Sequence, residues 1–112
     1  DNILSGKIIT IKEGGSVYVF TSVFAPARVG THIVHHWQYY DERQDTWQTR
    51  SKVLFPIVGG RDAGYRGFSR TSNPLEGKWR VSVETARGQI IGRVSFRVKI
   101  AEETPDLVSD RL

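Results

Sequence analysis

The sequence predicts an all-β domain, an immunoglobulin-like antiparallel β-sandwich of about seven strands, and three observations lead there. Runs of alternating apolar and polar residues recur about every dozen residues, parted by Gly, Pro and Asp turns. No run carries a 3.6-residue apolar stripe of useful length, and no internal repeat or heptad is present. A tryptophan falls at an inward position of the third strand, and a long hairpin, Gly77 to Val98, comes last. A small β-barrel of the five-stranded oligonucleotide-binding type is the alternative, disfavoured by the strand count.

Taken in order, Lys7 to Lys12 is rich in β-branched residues and stops at the turn signal Glu13-Gly14-Gly15. Ser16 to Phe24 is apolar on both faces, Val17, Val19 and Val23 on one and Tyr18, Phe20 and Phe24 on the other. Such a strand is expected to be central, with something covering its outside, and the pattern does not say which face is core. Pro26 and Gly30 break the run. Thr31 to Tyr40 then alternates, with Ile33, His35, Trp37 and Tyr39 inward and Val34, His36, Gln38 and Tyr40 outward. Asp41 to Asp45 is a charged hairpin loop into Thr46 to Ile57. There Val53, Phe55 and Ile57 share one face and Gln48, Arg50 and Lys52 the other, while Trp47 has the parity of the buried set. Residues 58–67, dense in Gly and Arg, read as a surface loop leading to a short strand near Tyr65 to Thr71. In the last hairpin Trp79, Val81, Val83, Val94, Phe96 and Val98 form a buried face, opposite Arg80, Ser82, Glu84, Arg93, Ser95, Arg97 and Lys99.

A chain of 112 residues is long enough for one domain with a proper core. It has no cysteine, which removes disulfides and thiolate chemistry and leaves the fold to packing. The formal charge is +4, and the last twelve residues set Glu102, Glu103, Asp106 and Asp110 against Arg111, so residues 1–100 carry +7. The chain therefore divides into a basic body over residues 1–100 and a polar acidic tail over 101–112, which is placed to fold across the basic last strand. The opening Asp1-Asn2-Ile3 resembles neither a signal peptide nor a natural start, as expected of a domain from a longer protein.

In the sandwich topology the last two strands share a sheet with the Trp-bearing strand and its hairpin partner. Their outward residues then form one basic face: Arg80, Arg93, Arg97 and Lys99 from the last hairpin, Arg50 and Lys52 from the fourth strand, with His36 and Tyr40 between them. Lys and Arg are normal on a solvated sheet face and discourage edge pairing. Surrounding an aromatic, they also suit an acidic protein surface or an anionic polymer. The absence of a ribonucleoprotein, KH or zinc-finger pattern sets nucleic acid aside. A second ligand class is carbohydrate, met by the aromatics Trp47, Tyr39 and Tyr65 in or near loops, with Arg61 and Arg66 in the Gly-rich stretch.

His32, His35 and His36 invite a metal reading, but on a strand His32 and His36 lie about 13 Å apart and His35 points to the other face. Zinc bonds near ~2 Å do not span that gap, so no metal and no cofactor are expected. His36 near Glu84 or Asp41 is the one conceivable acid–base pair. No G-x-S-x-G, H-E-x-x-H or P-loop occurs, and the expectation is a domain that is not an enzyme, with a weak enzyme as the last alternative.

The succession VYVFTSVF, HHW, KVLFPI and FSRTSNPLEGKWRVSVETARGQIIGRVSFRV resembles the bacterial family of domain of unknown function 2914. Gly77-Lys78-Trp79-Arg80-Val81, followed by Gly88 and Phe96, carries the resemblance most specifically. It implies a small β-sandwich-like domain, often C-terminal in proteins with membrane-spanning segments upstream, and supplies no functional residue. The expected whole is a non-catalytic binding or interaction module of a bacterial, membrane-associated protein, on the extracytoplasmic side. Its expected partner is a protein or an anionic polymer or glycan, and it meets a membrane through the parent protein alone.

Overall fold

The structure is a computed structural model and describes residues 7–23, 32–56 and 65–101. Seven strands result: β1 (Lys7–Lys12), β2 (Ser16–Val23), β3 (His32–Asp41), β4 (Thr46–Pro56), β5 (Tyr65–Ser72), β6 (Gly77–Thr85) and β7 (Ile90–Ala101). Each overlaps a run expected from the alternation. The break at Pro26 and Gly30, most of the Gly/Arg-rich loop, and the tail beyond Ala101 lie outside the described residues.

Five strands form one sheet in the order β1-β7-β6-β3-β4, and β2 pairs with β5 in a second. The larger sheet ends at β1 and β4 without closing, so the architecture is the immunoglobulin-like sandwich and not the barrel. As expected, β6 and β7 share a sheet with β3 and β4. Two expectations are corrected. The sheet is not wholly antiparallel, because β1 runs parallel to β7, Ile9 beside Val98. The strand with two apolar faces is not covered outside: Val17 and Val19 enter the core, while Tyr18 and Phe20 on the other face are 49% and 73% exposed.

β1 and β2 are joined by a short turn yet belong to different sheets, so the chain must cross the sandwich within three residues. Gly14 takes φ +80°, and a Cβ on Gly15 would stand 2.9 Å from the Lys12 carbonyl. Glycine suits both places, the first through its positive φ and the second through its missing side chain.

Val17, Val19, Trp37, Trp79, Val81, Val94, Phe96 and Val98 form the core, with Ile9, Ile11, Tyr39, Val53 and Ile100 packed at its margin. Trp37 is fully buried, and its ring meets Trp79 and Phe96 edge-on at 6.3 Å, the arrangement that aromatic quadrupoles favour. Trp79 lies two residues before Val81 and donates its indole N–H to the Leu75 carbonyl at 2.9 Å. That bond resembles the tyrosine corner of immunoglobulin domains, where a ring at the start of a strand ties back to backbone just upstream. Gly77, at φ +137°, completes the corner: a Cβ there would lie 2.9 Å from the Tyr39 hydroxyl.

Polar bonds cross between the sheets beside Trp37. His35 Nε2 lies 2.8 Å from Thr21 Oγ1, His35 Nδ1 lies 2.6 Å from Ser69 Oγ, and the Trp37 N–H donates to the same Ser69 oxygen at 2.9 Å. β3 is thereby bonded to both strands of the opposite sheet. One N–H and one bare nitrogen on a neutral imidazole suit the two hydroxyls in either tautomer. Protonation would place a charge in the core, and burial accordingly lowers the His35 pKa from 6.5 to about 4.

Trp37→Ala should cost about 3–5 kcal/mol in urea unfolding, the range for truncating a buried aromatic. The His35 effect has a definite sign. Its folded pKa lies below its unfolded one, so the unfolded chain binds the extra proton between about pH 6.5 and 4. Stability from this site should be complete above that window and fall on acidification through it, by on the order of 3 kcal/mol. Urea midpoints measured from pH 7.5 to 4.5 should fall more steeply for the wild type than for His35→Gln; parallel curves would refute the assignment.

Candidate functional site

The outer face of the five-stranded sheet gathers most of the residues expected there. The register sets Lys78 opposite Arg97, Arg80 opposite Ser95 and Ser82 opposite Arg93 across β6 and β7. On the other side of β6, Gln38 faces Arg80 and His36 faces Ser82, and His36 faces Lys52 of β4. Arg80, Arg93, Arg97, Lys99, Lys52, His36 and Tyr40 therefore share this face.

Arg50 does not. The pairing steps from Trp37–Ser51 to Gln38–Thr49, so Arg50 is the extra residue of a β-bulge. One inserted residue reverses the inside–outside alternation beyond it. Arg50 turns its guanidinium to within 6.0 Å of the Tyr39 ring, which packs on the core side. Gln48, expected outward with Arg50, pairs instead with inward Tyr39, while Trp47 pairs with Tyr40 and joins the outer face. Sequence parity had the reverse arrangement, because a bulge leaves no mark in the alternation itself.

With Trp47 on this face, the cations find aromatic partners. The Arg80 guanidinium carbon lies 4.1 Å from the centre of the Trp47 ring. Lys78 Nζ lies 4.9 Å from the Tyr40 ring and 5.7 Å from Trp47. Tyr40 and Trp47 meet at 5.2 Å with their planes at 60°. These distances fall within the reach of cation–π attraction.

Hydrogen bonds fix the arginines further. Arg80 Nε donates to Gln38 Oε1 at 2.7 Å, and Arg93 Nε donates to Ser82 Oγ at 3.0 Å. Both acceptors are neutral, so each bond positions a guanidinium without cancelling its charge. Burial first, and then the charge of Arg93, hold the Arg80 pKa below its ordinary value.

The carboxylate that β6 carries on this face has its own partner. Glu84 Oε2 lies 2.7 Å from His36 Nδ1, and His36 Nε2 lies 2.7 Å from Thr49 Oγ1. This is the acid–base pair conceivable from sequence, extended by a hydroxyl that the bulge carries onto the face. Of the other histidines, His35 is core, and no group of three or more potential metal ligands occurs among the described residues.

The second set of aromatics is not a set in space. Tyr39 is a core-margin residue, with its ring 5.1 Å from Trp79 and its hydroxyl donating to the Glu76 carbonyl, so it is no platform beside Trp47. Tyr65 and Arg66 belong to β5, paired with Val23 and Ser22, on the other sheet from Trp47. Arg61 lies outside the described residues. A depression of about 340 Å³ opens at one end of the basic face, between the β3–β4 turn and the start of β6. Its rim mixes Asp41, Glu42 and Glu76 with Arg43, Lys78 and Arg97, so its charges offset one another.

Two contributors to this face escaped sequence reasoning, Lys78 and Thr49; Gln38 and Ser82 were placed on it from parity, though not as the acceptors that position the arginines. Lys78 was legible by parity with Arg80. A further exposed feature lies on the opposite sheet, where Phe20 and Phe68 stack at 5.4 Å and Tyr18 lies 6.5 Å from both.

Sandwich and basic face together define the class: a small immunoglobulin-like β domain with a cationic outer sheet face. The chain belongs to the family described as "Protein of unknown function (DUF2914)", whose model matches residues 30–98. Among solved structures the chain is similar to the NK cell receptor Nkp44, "a triggering partner in natural cytotoxicity". The TM-score is 0.58 at 10% identity, covering 87% of this chain and 99% of the receptor chain. At that identity the likeness concerns the fold alone. No curated protein matches the sequence.

If the guanidinium of Arg80 rests on the indole, Arg80→Gln and Trp47→Ala should not be additive. A double-mutant cycle should return a coupling of about 0.5–1 kcal/mol. Additive losses would show that the two groups stand apart.

Proposed function

We propose that this domain is a non-catalytic interaction module that docks an acidic partner, a protein surface or an anionic polymer, on the outer face of its five-stranded sheet. The observation that carries the reading is the company the cations keep: Arg80 and Arg93 are held by neutral acceptors and an indole, while Glu84 is engaged by His36. Charge fixed in place and left unpaired attracts an acidic surface at long range and meets it with little reordering. The same proposal places the domain in a bacterial, membrane-associated protein, facing the extracytoplasmic side, and rests there on the family resemblance.

A glycan reading is favoured by one observation, the bulge that brings Trp47 beside Tyr40. A weak enzyme built on Glu84, His36 and Thr49 has the order of an acyl-transfer triad. It lacks the concave pocket such chemistry uses, because Thr49 lies exposed on an open sheet face.

The docking reading is tested with a fluorescein-labelled poly-glutamate 20-mer as probe. Arg93→Glu combined with Arg97→Glu should weaken binding at least tenfold in anisotropy titrations at low salt, whereas Arg70→Glu on the opposite sheet should change it less than twofold. Equal losses from both sheets would refute docking on this face. For the glycan reading, Trp fluorescence should respond to a polysaccharide and the response should vanish in Trp47→Ala; a flat response across a broad glycan array would refute it.

A further inference from the structure

Within the basic face, β6 and β7 place two arginines and two serines at the corners of a square: Arg80 opposite Ser95, and Ser82 opposite Arg93. Small serines leave each long side chain room to lie across the sheet, and both arginines lean the same way. Arg93 reaches from β7 onto Ser82 of β6, and Arg80 reaches from β6 onto Gln38 of β3 and Trp47 of β4. Each spends its Nε–H on the neutral acceptor. Among the described residues the Nη groups of both make no hydrogen bond, so each guanidinium keeps the two-pronged edge that grips an oxyanion.

Two like charges thus stand diagonally across one strand pair, near enough for Arg93 to lower the Arg80 pKa, and no described carboxylate bonds to either. Such an arrangement stores repulsion, and a bound anion relieves it. Glu84, next along β6 beyond Ser82, would relieve it from within the protein, but its Oε2 is held by His36. The depression at the end of the face, by contrast, carries its own acidic residues. The vacancy for negative charge is therefore local to Arg80 and Arg93.

We propose that Arg80 and Arg93 together bind one doubly charged tetrahedral oxyanion, the phosphate of a phosphate monoester. The inference deepens the docking reading and rests on it, naming the group that this part of the face recognises. Two charges match a phosphate monoester, a dianion near neutral pH, better than a singly charged sulfate ester or carboxylate, and four Nη–H pairs exceed what two carboxylate oxygens accept.

The test follows the arginine Nε–H signals of the ¹⁵N-labelled chain by NMR at fixed ionic strength, with inorganic phosphate, glucose 6-phosphate and glucose 6-sulfate as probes. Phosphate and glucose 6-phosphate should shift the Arg80 and Arg93 signals saturably with 1:1 stoichiometry, and glucose 6-sulfate should bind at least threefold more weakly. Arg93→Gln should lower affinity at least tenfold and Lys99→Gln less than twofold. Since Arg80 helps to pack Trp47, the companion variant is Arg93→Lys, which keeps the charge and loses the fork; it should lose about fivefold with an unchanged melting temperature.

A parallel arm offers the same group on phosphatidylcholine vesicles with and without phosphatidic acid. Stronger binding to the phosphatidic acid vesicles than to glucose 6-phosphate assigns the group to a lipid, and the reverse assigns it to a soluble or polymer-borne sugar. Failure of any phosphate probe to saturate overturns the proposal, as does equal or tighter binding of the sulfate ester. Equal losses from Arg93→Gln and Lys99→Gln also overturn it while leaving diffuse docking on the face intact. Docking alone falls if the arginine site saturates as expected but reversing Arg93 and Arg97 leaves poly-glutamate binding unchanged.

Discussion

The seam between the two sheets is the constraint on which everything else in this domain depends. A two-stranded sheet cannot stand alone in water, so β2 and β5 persist only because β3 holds them. Immunoglobulin domains commonly cross this gap with a disulfide, and this chain has no cysteine. Its substitute is mixed: valines of β2 packed with Trp37, Trp79 and Val81, and beside them the bonds from His35 and Trp37 to Thr21 and Ser69. The packing supplies the larger part of the stability and the polar bonds supply register. His35 and Trp37 can meet a single serine only if β3 and β5 stand at one height relative to each other. A slip of the sheets would break the bonds of a buried imidazole and an indole N–H to Thr21 and Ser69, and a buried donor left unsatisfied costs about 1–3 kcal/mol.

That fixed height decides what the outside presents. β3 is shared between the seam and the basic face: His35 and Trp37 point inward, His36 and Gln38 outward. Anchoring the inner pair therefore orients the outer pair, and through them Arg80, Glu84 and Thr49. The bulge at Arg50 adds the one feature that alternation alone would not supply. It moves Trp47 outward, where Arg80 and Lys78 lie against it, and turns Arg50 to cover Tyr39 at the uncovered inner edge of β4. A single inserted residue thus supplies an aromatic floor outside and a cover inside.

The core of the last hairpin was legible because β6 keeps a period of two from Trp79 on: Trp79, Val81 and Val83 against Arg80, Ser82 and Glu84. Trp37 was legible as core because an indole at an inward position has no cheaper place to go. Arg50 and Gln48 were misplaced, and the parity of Trp47 pointed the wrong way, for one physical reason. Alternation is a local rule, whereas a bulge is a property of the pairing between two strands and appears only when β4 is set against β3. The two faces of β2 were equally apolar, so the choice between Val17 with Val19 and Tyr18 with Phe20 needed the opposing sheet. Pairing of β1 with β7, ninety residues on, is likewise a long-range fact that no window along the chain contains. The cluster of cations could be foreseen from parity, but what holds each of them could not.

What holds them matters more than their number. Lysines and arginines scattered on a sheet face are mobile, and each must be ordered when a ligand arrives, at about 0.5–1.5 kcal/mol per side chain. Here Gln38, Ser82 and Trp47 have already ordered Arg80 and Arg93, and none of the three neutralises them. Carboxylates in those places would position the guanidinium groups equally well and would silence them. Among the described residues, the carboxylate on this face beside Ser82, Glu84, is hydrogen-bonded with His36, whose other nitrogen is engaged by Thr49. Imidazole, hydroxyl and carboxylate in line therefore read most simply as a device that keeps acid away from the arginines. In the docking reading, an order of groups familiar from catalysis orients Glu84 towards His36 rather than towards Arg80 and Arg93.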